Sequence, residues 1–404
     1  MTLFENFGYS KPERTLMLLI MLASMFDGMT QGIMLLQETI AKKALLASDY
    51  QISLIGVIAN ATMVFSFFIS YFFTNKSKKS LLLWGYLLGR FLFVFSFLIA
   101  DSSVFLLFLF FFHALYSIQV PVLNSFFQNY LSANRGFAFG IARMILMVFA
   151  MATSLLVGKL LDLSPGYYRF ILPVIAASAG VTYFIFYKIE SKIVYPAKAL
   201  RKKLDFNKEF LKIVKHGKFI MFEGIFMVYG FAYMVCVPVV PLFLIKNLKL
   251  SYFEMAQAMG IYSQIFILLT IPFAGKIYDR INVWKIGSFS YAVLIFYPLF
   301  FILSYFTQQK TFAFVGLLFF SLGLSGITIL WNLGTIHFAQ NADAFLYQGF
   351  HVSCTGVRGL AGPLLGYFIM AQFGLLAVFI LSAVLFCAAL LMNLIYSRTK
   401  GSQP

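Results

Sequence analysis

Long apolar runs are the feature of this sequence that most restricts its fold. Residues 104–112 are apolar throughout, and residues 375–391 are interrupted only by Ser382. A soluble domain averages about 45–50% apolar and about 25% charged residues, whereas this chain of 404 residues has 61% and 11%. The chain therefore belongs in a lipid bilayer. Because strands of membrane β-barrels alternate apolar and polar residues, these runs predict membrane-spanning helices.

The apolar windows provide for about a dozen spans, since one spanning helix takes about 20 residues. We predict twelve spans, in two sets of six. Spans 1–6 are predicted at residues 14–38, 51–73, 80–100, 104–131, 136–160 and 168–190, and spans 7–12 at 217–245, 252–275, 283–305, 311–338, 346–370 and 373–396. The predicted domains are an N-terminal six-helix bundle (1–190), a basic linker (191–216) and a C-terminal six-helix bundle (217–404).

The net charge of +17 orients the predicted spans, because short cytoplasmic loops carry an excess of Lys and Arg. With both termini inside, 21 of the 31 Lys and Arg residues fall on the inner side and seven on the outer side. We therefore predict a multi-pass protein of the plasma (inner) membrane with cytoplasmic termini. Its basic residues would face anionic lipid of the inner leaflet.

The linker carries many of these basic residues. A nucleic-acid-binding arm is the less favoured interpretation, and we expect no nucleic-acid partner. Apolar residues recur among the lysines and predict a short amphipathic helix on the membrane surface. They are Phe206, Phe210, Leu211 and Ile213.

The most specific motif lies in the loop between predicted spans 8 and 9. Residues 275–285 read GKIYDRINVWK and fit the pattern G-x-x-x-D-R-x-G-x-x-K, with Asn282 in the place of the second Gly. The motif resembles the signature cytoplasmic loop of the major facilitator superfamily. Residues 70–79 form the corresponding N-terminal loop, which keeps the basic residues but lacks the Gly, Asp and Arg. A shift of 205 residues superimposes the two loops and indicates an internal repeat.

Two further stretches resemble the same family. Residues 135–140, RGFAFG, begin predicted span 5 with Arg135 and are similar to the R-G-x-A-x-G of that junction. Residues 356–366 of span 11, GVRGLAGPLLG, resemble a G-P-x-x-G element that antiporters of the family carry in span 5. The small residues allow close helix approach, and the proline favours a bend. The residues concerned are Gly359, Gly362 and Pro363.

The resemblance covers essentially the whole chain and implies an all-α membrane protein with twelve transmembrane helices in two pseudo-symmetric bundles. It implies that spans 1, 4, 7 and 10 line a central cavity, that spans 2, 5, 8 and 11 join the halves, and that the others pack outside. It further implies a secondary transporter that works by alternating access. Residues of the signature loop would latch its inner face. They are Gly275, Asp279, Arg280 and Lys285.

Five charged residues lie away from the ends of the predicted spans, near the midplane or in the inner third of the membrane, where charge is costly and marks a pathway by default. They are Asp27, Arg90, Arg143, Glu223 and Arg358. Asp27 is the candidate for proton coupling, with a permanent ion pair to Arg90 or Arg358 as the alternative. Arg358 is the candidate for contacting an anionic substrate group. Glu223 and Arg143 form a candidate gate pair.

Polar and aromatic side chains of the cavity-lining spans supply further candidate contacts for a small-molecule substrate. They are Gln31, His113, Tyr116, Gln119, Asn124, Tyr229, Tyr233, Trp331, Asn332 and His337. The sequence has no nucleotide-binding loop, nucleophile elbow or metal-ligand spacing, so we expect no enzymatic activity, cofactor or metal. We also expect the protein to be a monomer. Proton-coupled uptake or efflux, facilitated diffusion, and a non-transporting sensor or assembly subunit remain open.

Overall fold

The computed structural model describes residues 10–65, 77, 79–116, 135–192, 206–273, 277, 280–339 and 344–399. Within these ranges the secondary structure is helical and contains no β-strand. Where residues are described, the helices follow the predicted spans, and the predicted fold of two six-helix bundles is confirmed.

The N-terminal half contains spans 1–6. Span 1 comprises Lys11–Met34, Gln37–Thr39 and a π-helical turn, Ile40–Ala44. Span 2 comprises Asp49–Ala61 and Thr62–Phe65, and span 3 comprises Lys79–Gly89 and Phe91–Leu98. Span 4 is Ser102–Tyr116, span 5 is Arg135–Leu163, and span 6 comprises Pro165–Tyr167, Tyr168–Ile171 and Pro173–Glu190.

The C-terminal half follows the linker helix, Phe206–Val214. Span 7 comprises Gly217–Met234 and Val239–Lys246, and span 8 comprises Tyr252–Ala256, the π-helical Gln257–Tyr262, Ile265–Thr270 and Ile271–Phe273. Span 9 is Val283–Thr307, and span 10 comprises Lys310–Ile329, the π-helical Leu330–Gly334 and Thr335–Ala339. Spans 11 and 12 share one helical run, Ala344–Thr399.

The loops that join spans 1 and 2 and spans 7 and 8 repeat each other's geometry. Leu46 and Lys249 both adopt a left-handed conformation with φ of 52°. Two residues later, Ser48 and Ser251 each begin the next span with a capping box. The offset of 203 residues between these loops matches the internal repeat that the sequence predicts. We call the end of the protein where these loops lie the distal end.

Interhelical hydrogen bonds hold each half together, as expected in lipid, where polar side chains join helices. In the N-terminal half, the Thr182 hydroxyl of span 6 donates to the Ala23 carbonyl of span 1 at 3.2 Å. In the C-terminal half, the Asn393 amide of span 12 donates to the Trp284 carbonyl of span 9 at 2.8 Å. These bonds tie outer helices to their own bundle.

The two halves meet where span 2 packs against span 11 and span 5 packs against span 8. Glycines occupy the closest approaches. A Cβ built on Gly356 of span 11 would lie 2.2 Å from the Val64 nitrogen of span 2, and one built on Gly158 of span 5 would lie 2.9 Å from the Tyr252 oxygen of span 8. Small residues thus bring the backbones of the two halves into direct contact.

Spans 11 and 12 are separated by a single residue. Gly374 has φ of 83° and ψ of 171°, a conformation that residues with a Cβ rarely adopt. The sequence predicts a boundary at residues 370–373 and a bend at Pro363, but the dihedral angles stay helical through Pro363 and change at Gly374. The connection therefore contains almost no loop.

The linker helix packs onto the C-terminal half. Ile213 is buried in its core at 1% exposure, and the Phe210 ring lies 6.0 Å from that of Phe350 on span 11. Leu211 and Val214 remain exposed. This exposed face is where the predicted contact with the membrane surface would occur.

Replacing Gly366 by Ala should destabilise the C-terminal half by about 1–3 kcal/mol through overpacking. The added Cβ would lie 2.1 Å from the Val235 carbonyl oxygen, which is backbone and has little freedom to move. Gly224→Ala is the matched control, because Gly224 is helical and has no atom within 4 Å of such a Cβ. Thermal unfolding in detergent measures both, and equal melting temperatures would contradict this packing.

Candidate functional site

Asp27, the candidate for proton coupling, lies in a buried ion pair. The distance from its Oδ1 to Nη2 of Arg90 is 3.8 Å, and the two side chains are 7% and 8% exposed. Asp27 belongs to span 1 and Arg90 to the junction within span 3. Of the two partners considered for Asp27, the structure therefore places Arg90 beside it, and both charges lie inside the N-terminal half.

Glu223 pairs with a residue outside the predicted gate. Its Oε1 lies 2.6 Å from Nδ1 of His351, and both residues are buried. The pair joins span 7 to span 11, with the Phe226 and Trp331 rings 4.8 Å and 6.1 Å from the imidazole. Arg143, the suggested partner, is exposed on span 5. A Glu and a His on two central spans are a signal that could have suggested this pair from the sequence.

Arg358 is enclosed by span 7 of its own half. Its Nη1 donates to the Phe226 carbonyl at 2.5 Å, and Nη2 donates to the Thr355 hydroxyl at 3.1 Å. The guanidinium lies 5.0 Å and 5.5 Å from the ring centres of Phe226 and Tyr229. With 3% exposure and Glu223 within electrostatic range, Arg358 faces the interior of the C-terminal half.

Close packing makes room for this arginine. Gly230 of span 7 lies so near that an added Cβ would be 2.2 Å from the Arg358 side chain. Gly359 and Gly362 of the span 11 element would likewise place a Cβ 2.2 Å and 2.4 Å from side-chain atoms of Asn60 and Met234. The predicted small-residue stripe therefore packs against both halves.

A polar cluster that sequence reasoning missed contains Glu38. The Gln37 amide donates to Oε1 of Glu38 at 3.2 Å, and its carbonyl oxygen lies 2.9 Å from Nε2 of His113 on span 4. Tyr233 of span 7 lies within electrostatic range of Glu38. The predicted span 1 ended at residue 38, whereas the helix continues to Ala44. Lys42 and Lys43 were the better signal for the end of the span.

The other predicted residues are distributed along the pathway spans. Gln31, Trp331 and Asn332 are half-buried, Tyr229 is buried, and His337 is exposed. Arg280 and Lys285 are exposed beside the start of span 9. The described part of span 4 runs to Tyr116, and the described part of span 5 starts at Arg135. Four predicted residues lie outside the described residues: Gln119, Asn124, Gly275 and Asp279.

Hydrogen bonds join the two halves at the distal end. The Asp162 carboxylate of span 5 accepts hydrogen bonds from the backbone nitrogens of Tyr252 and Phe253, at 2.7 Å and 3.0 Å. These donors lie at the N-terminus of span 8, where the helix dipole favours an anion. Nζ of Lys43 on span 1 donates to the Leu250 carbonyl at 3.0 Å.

An ion pair adds to these hydrogen bonds, and we call the whole set of contacts the distal clasp. Nζ of Lys246 in span 7 lies 2.5 Å from Oδ2 of Asp49 in span 2, and Lys42 lies 2.8 Å from the other carboxylate oxygen. The side chains of Lys246 and Asp49 are 47% and 28% exposed, so the pair contributes only about 0–1 kcal/mol. The distal clasp consists of Lys43, Asp49, Asp162, Lys246, Leu250, Tyr252 and Phe253.

Metal ligands do not converge in the part of the chain that the structure describes. Within those residues, no group of three or more His, Cys, Asp or Glu side chains could hold a metal ion.

A family model described as Major Facilitator Superfamily matches residues 16–346, which is most of the chain. Among solved structures, a mutant of the nucleoside transporter NupG matches with a TM-score of 0.72 and 12% identity, over 95% of this chain and 99% of that chain. The D-xylose-proton symporter matches with 0.66 and 14%, over 95% and 97%. The human organic anion transporter MFSD10 (TETRAN) matches with 0.65 and 13%, over 95% and 100%.

No curated protein matches the sequence. At 12–14% identity, the structural matches show a shared fold.

Replacing Glu223 by Ala should cost more stability than replacing it by Gln. Alanine leaves the buried His351 without its hydrogen-bond partner, and leaving a buried polar group unsatisfied costs about 1–3 kcal/mol. Glutamine keeps an oxygen that accepts a hydrogen bond from His351. Unfolding in detergent, followed by size-exclusion chromatography after heating, compares the two variants. Equal losses of stability would contradict a role for this hydrogen bond.

Proposed function

This chain belongs to the Major Facilitator Superfamily of membrane transporters, and we propose that it moves a small organic solute by secondary active transport with alternating access. The observation that supports this proposal most directly is the distal clasp, in which groups from the two halves hold one end of the protein closed. Opening the distal clasp would give access to the space between the halves from the distal side.

The chemistry of the distal clasp suits reversible opening. Its hydrogen bonds end at a helix N-terminus and at a loop carbonyl, and both kinds of group can bind water instead when the halves separate. The Asp49–Lys246 ion pair is partly exposed and is easily replaced by hydration. The free energy needed to open the distal clasp is therefore small compared with that of unfolding a bundle.

Proton coupling through Asp27 is the energy source that we propose. If Asp27 took up a proton, Arg90 would keep a buried charge without its carboxylate, which is strongly unfavourable. Protonation would then favour a conformation in which the environment of Arg90 changes, and this link is what couples a proton to a conformational switch. The pair would act inside the N-terminal half.

The excess of Lys and Arg in the predicted inner loops over the outer loops supports a plasma-membrane protein with both termini in the cytoplasm. In this orientation the distal end faces outward. The distal clasp would then be the outer gate, and the described conformation would be closed to the outside.

Asp162→Ala should shift the equilibrium towards an open distal end. The variant removes two hydrogen bonds between the halves, and a capping interaction contributes about 1 kcal/mol, or about a fivefold change in population. Double electron–electron resonance between spin labels at Leu46→Cys and Lys249→Cys, without the native cysteines, measures the opening. A larger fraction of long distances is expected.

Asp101→Ala is the matched control for this experiment. Asp101 caps span 4 in the same way, by accepting from the nitrogens of Ser103 and Val104 at 2.7 Å and 3.1 Å, but within one half. Its loss should lower stability without changing the distances between the labels. If the two variants shift the distances equally, the distal clasp is not a gate.

Asp27→Asn should abolish the pH dependence of the same label distances. If protonation of Asp27 drives the switch, the distance distribution of the native sequence changes with pH, and the uncharged amide fixes one distribution. An unchanged pH response in Asp27→Asn would reject the coupling role and leave Asp27 as a structural partner of Arg90. Melting temperatures of the variant, measured in parallel, report the structural contribution of the pair.

A further inference from the structure

Glu38 is a charged residue of span 1 that sequence reasoning did not use. It is half-buried, and its neighbours Gln37 and Thr39 are buried. Because a carboxyl group is strongly disfavoured against lipid, an acidic residue within a span is expected to face protein or water.

The packing of its helical turn places Glu38 at the boundary between the two halves. This short turn, Gln37–Thr39, packs against Val239–Lys246 of span 7, so span 1 meets the other half at this level. Lys43 of the distal clasp follows five residues later, or about 7 Å further along the helix axis. Glu38 therefore lies further from the distal end than the distal clasp does.

No cation among the described residues balances the Glu38 carboxylate. The groups that face it are the Gln37 amide and the Tyr233 phenol. The nearest lysines in the sequence are engaged elsewhere: Lys42 with Asp49, and Lys43 with the Leu250 carbonyl.

Arg358, the candidate for contacting an anionic substrate group, is also engaged, and so is Arg90. Arg90 pairs with Asp27, and Arg358 is enclosed by Phe226, Thr355 and Tyr229 inside the C-terminal half. Both arginines are thus enclosed within their own bundles, whereas Glu38 is half-buried at the boundary between the halves.

We propose that the carboxylate of Glu38 binds the positive charge of the transported solute, which is a small organic cation such as an ammonium compound. This inference rests on the proposed transport function and replaces the expectation of a partly anionic substrate. An unbalanced carboxylate in a low-dielectric site attracts a cation strongly. The half-buried Tyr233, whose ring lies 5.4 Å from that of Phe320, supplies an aromatic face for the same charge.

His113 and Gln37 would position the carboxylate. The 2.9 Å hydrogen bond to His113 fixes the Gln37 carbonyl oxygen, which leaves the amide nitrogen to donate to Glu38. This chain of hydrogen bonds links span 4 to the Glu38 carboxylate of span 1. Gln37 and His113 are therefore positioning residues, and the contact with the cation is assigned to Glu38.

Binding to the purified full-length protein tests the proposal without transport. The probes are choline, tetraethylammonium and benzyltrimethylammonium, with 3,3-dimethylbutan-1-ol as the neutral isostere of choline and 3,3-dimethylbutanoate as a matched anion. We expect at least one of the three cations to raise the melting temperature, with no effect of the alcohol or the anion. Glu38→Gln should weaken this binding by about tenfold or more, since it removes one of two paired charges.

Glu38→Asp, which keeps the charge, should retain more of the binding than Glu38→Gln. Asp101→Ala is the control: it removes a carboxylate that lies within one half, and the variant should bind the cations normally. The proposal is overturned if the anion or the alcohol stabilises the protein as well as the cations do, if none of the cations stabilises it, or if Glu38→Gln binds them unchanged.

A proton bound at Glu38 is the competing occupant, and charge movement distinguishes it. On proteoliposomes adsorbed to a solid-supported membrane, addition of the binding cation at constant pH should produce a charge displacement that Glu38→Gln lacks. A displacement that depends on Glu38 and follows pH jumps but not the cation would overturn the proposal. If the Leu46–Lys249 label distance never changes under any condition, the proposed function itself fails. If addition of the cation changes this distance equally in the native sequence and in Glu38→Gln, only this inference is rejected.

Discussion

Charge inside lipid must be neutralised close at hand, and this constraint organises the interior of the protein. Each half meets it separately. Asp27 and Arg90 pair within the N-terminal bundle, and Glu223, His351 and Arg358 lie together within the C-terminal bundle. Among the described residues, the partners of these buried charges lie within the same half, so the halves can change their relative position without separating them.

Contact between the halves depends on short side chains. Lipid tails are as apolar as leucine, so two bundles gain little from burying apolar surface against each other, and close packing has to supply the contact energy. Gly158 and Gly356 bring backbone against backbone at the two seams. A closely packed seam of this kind does not deform continuously, and it favours a small number of discrete arrangements of the halves.

The sequence predicts what depends on composition and period, namely the spans, the two halves and the excess of inner basic residues. It predicts less well what depends on contacts between distant residues. Glu38 was missed because hydropathy fades near Lys42 and Lys43, while the helix itself continues through a π-helical turn. The partner of Glu223 lies on a helix 128 residues away, and Gly374 resembles the chain's other glycines until its dihedral angles are known.

The distal clasp draws unequally on the two halves. On the C-terminal side, Asp162 and Lys43 are met by backbone groups of Tyr252, Phe253 and Leu250, which exist whatever side chains those positions carry. The N-terminal side must supply the specific carboxylate and ammonium. Side-chain substitutions in the loop between spans 7 and 8 can therefore leave these bonds intact, whereas substitution of Asp162 or Lys43 removes them. Two structurally similar halves would diverge at different rates for this reason.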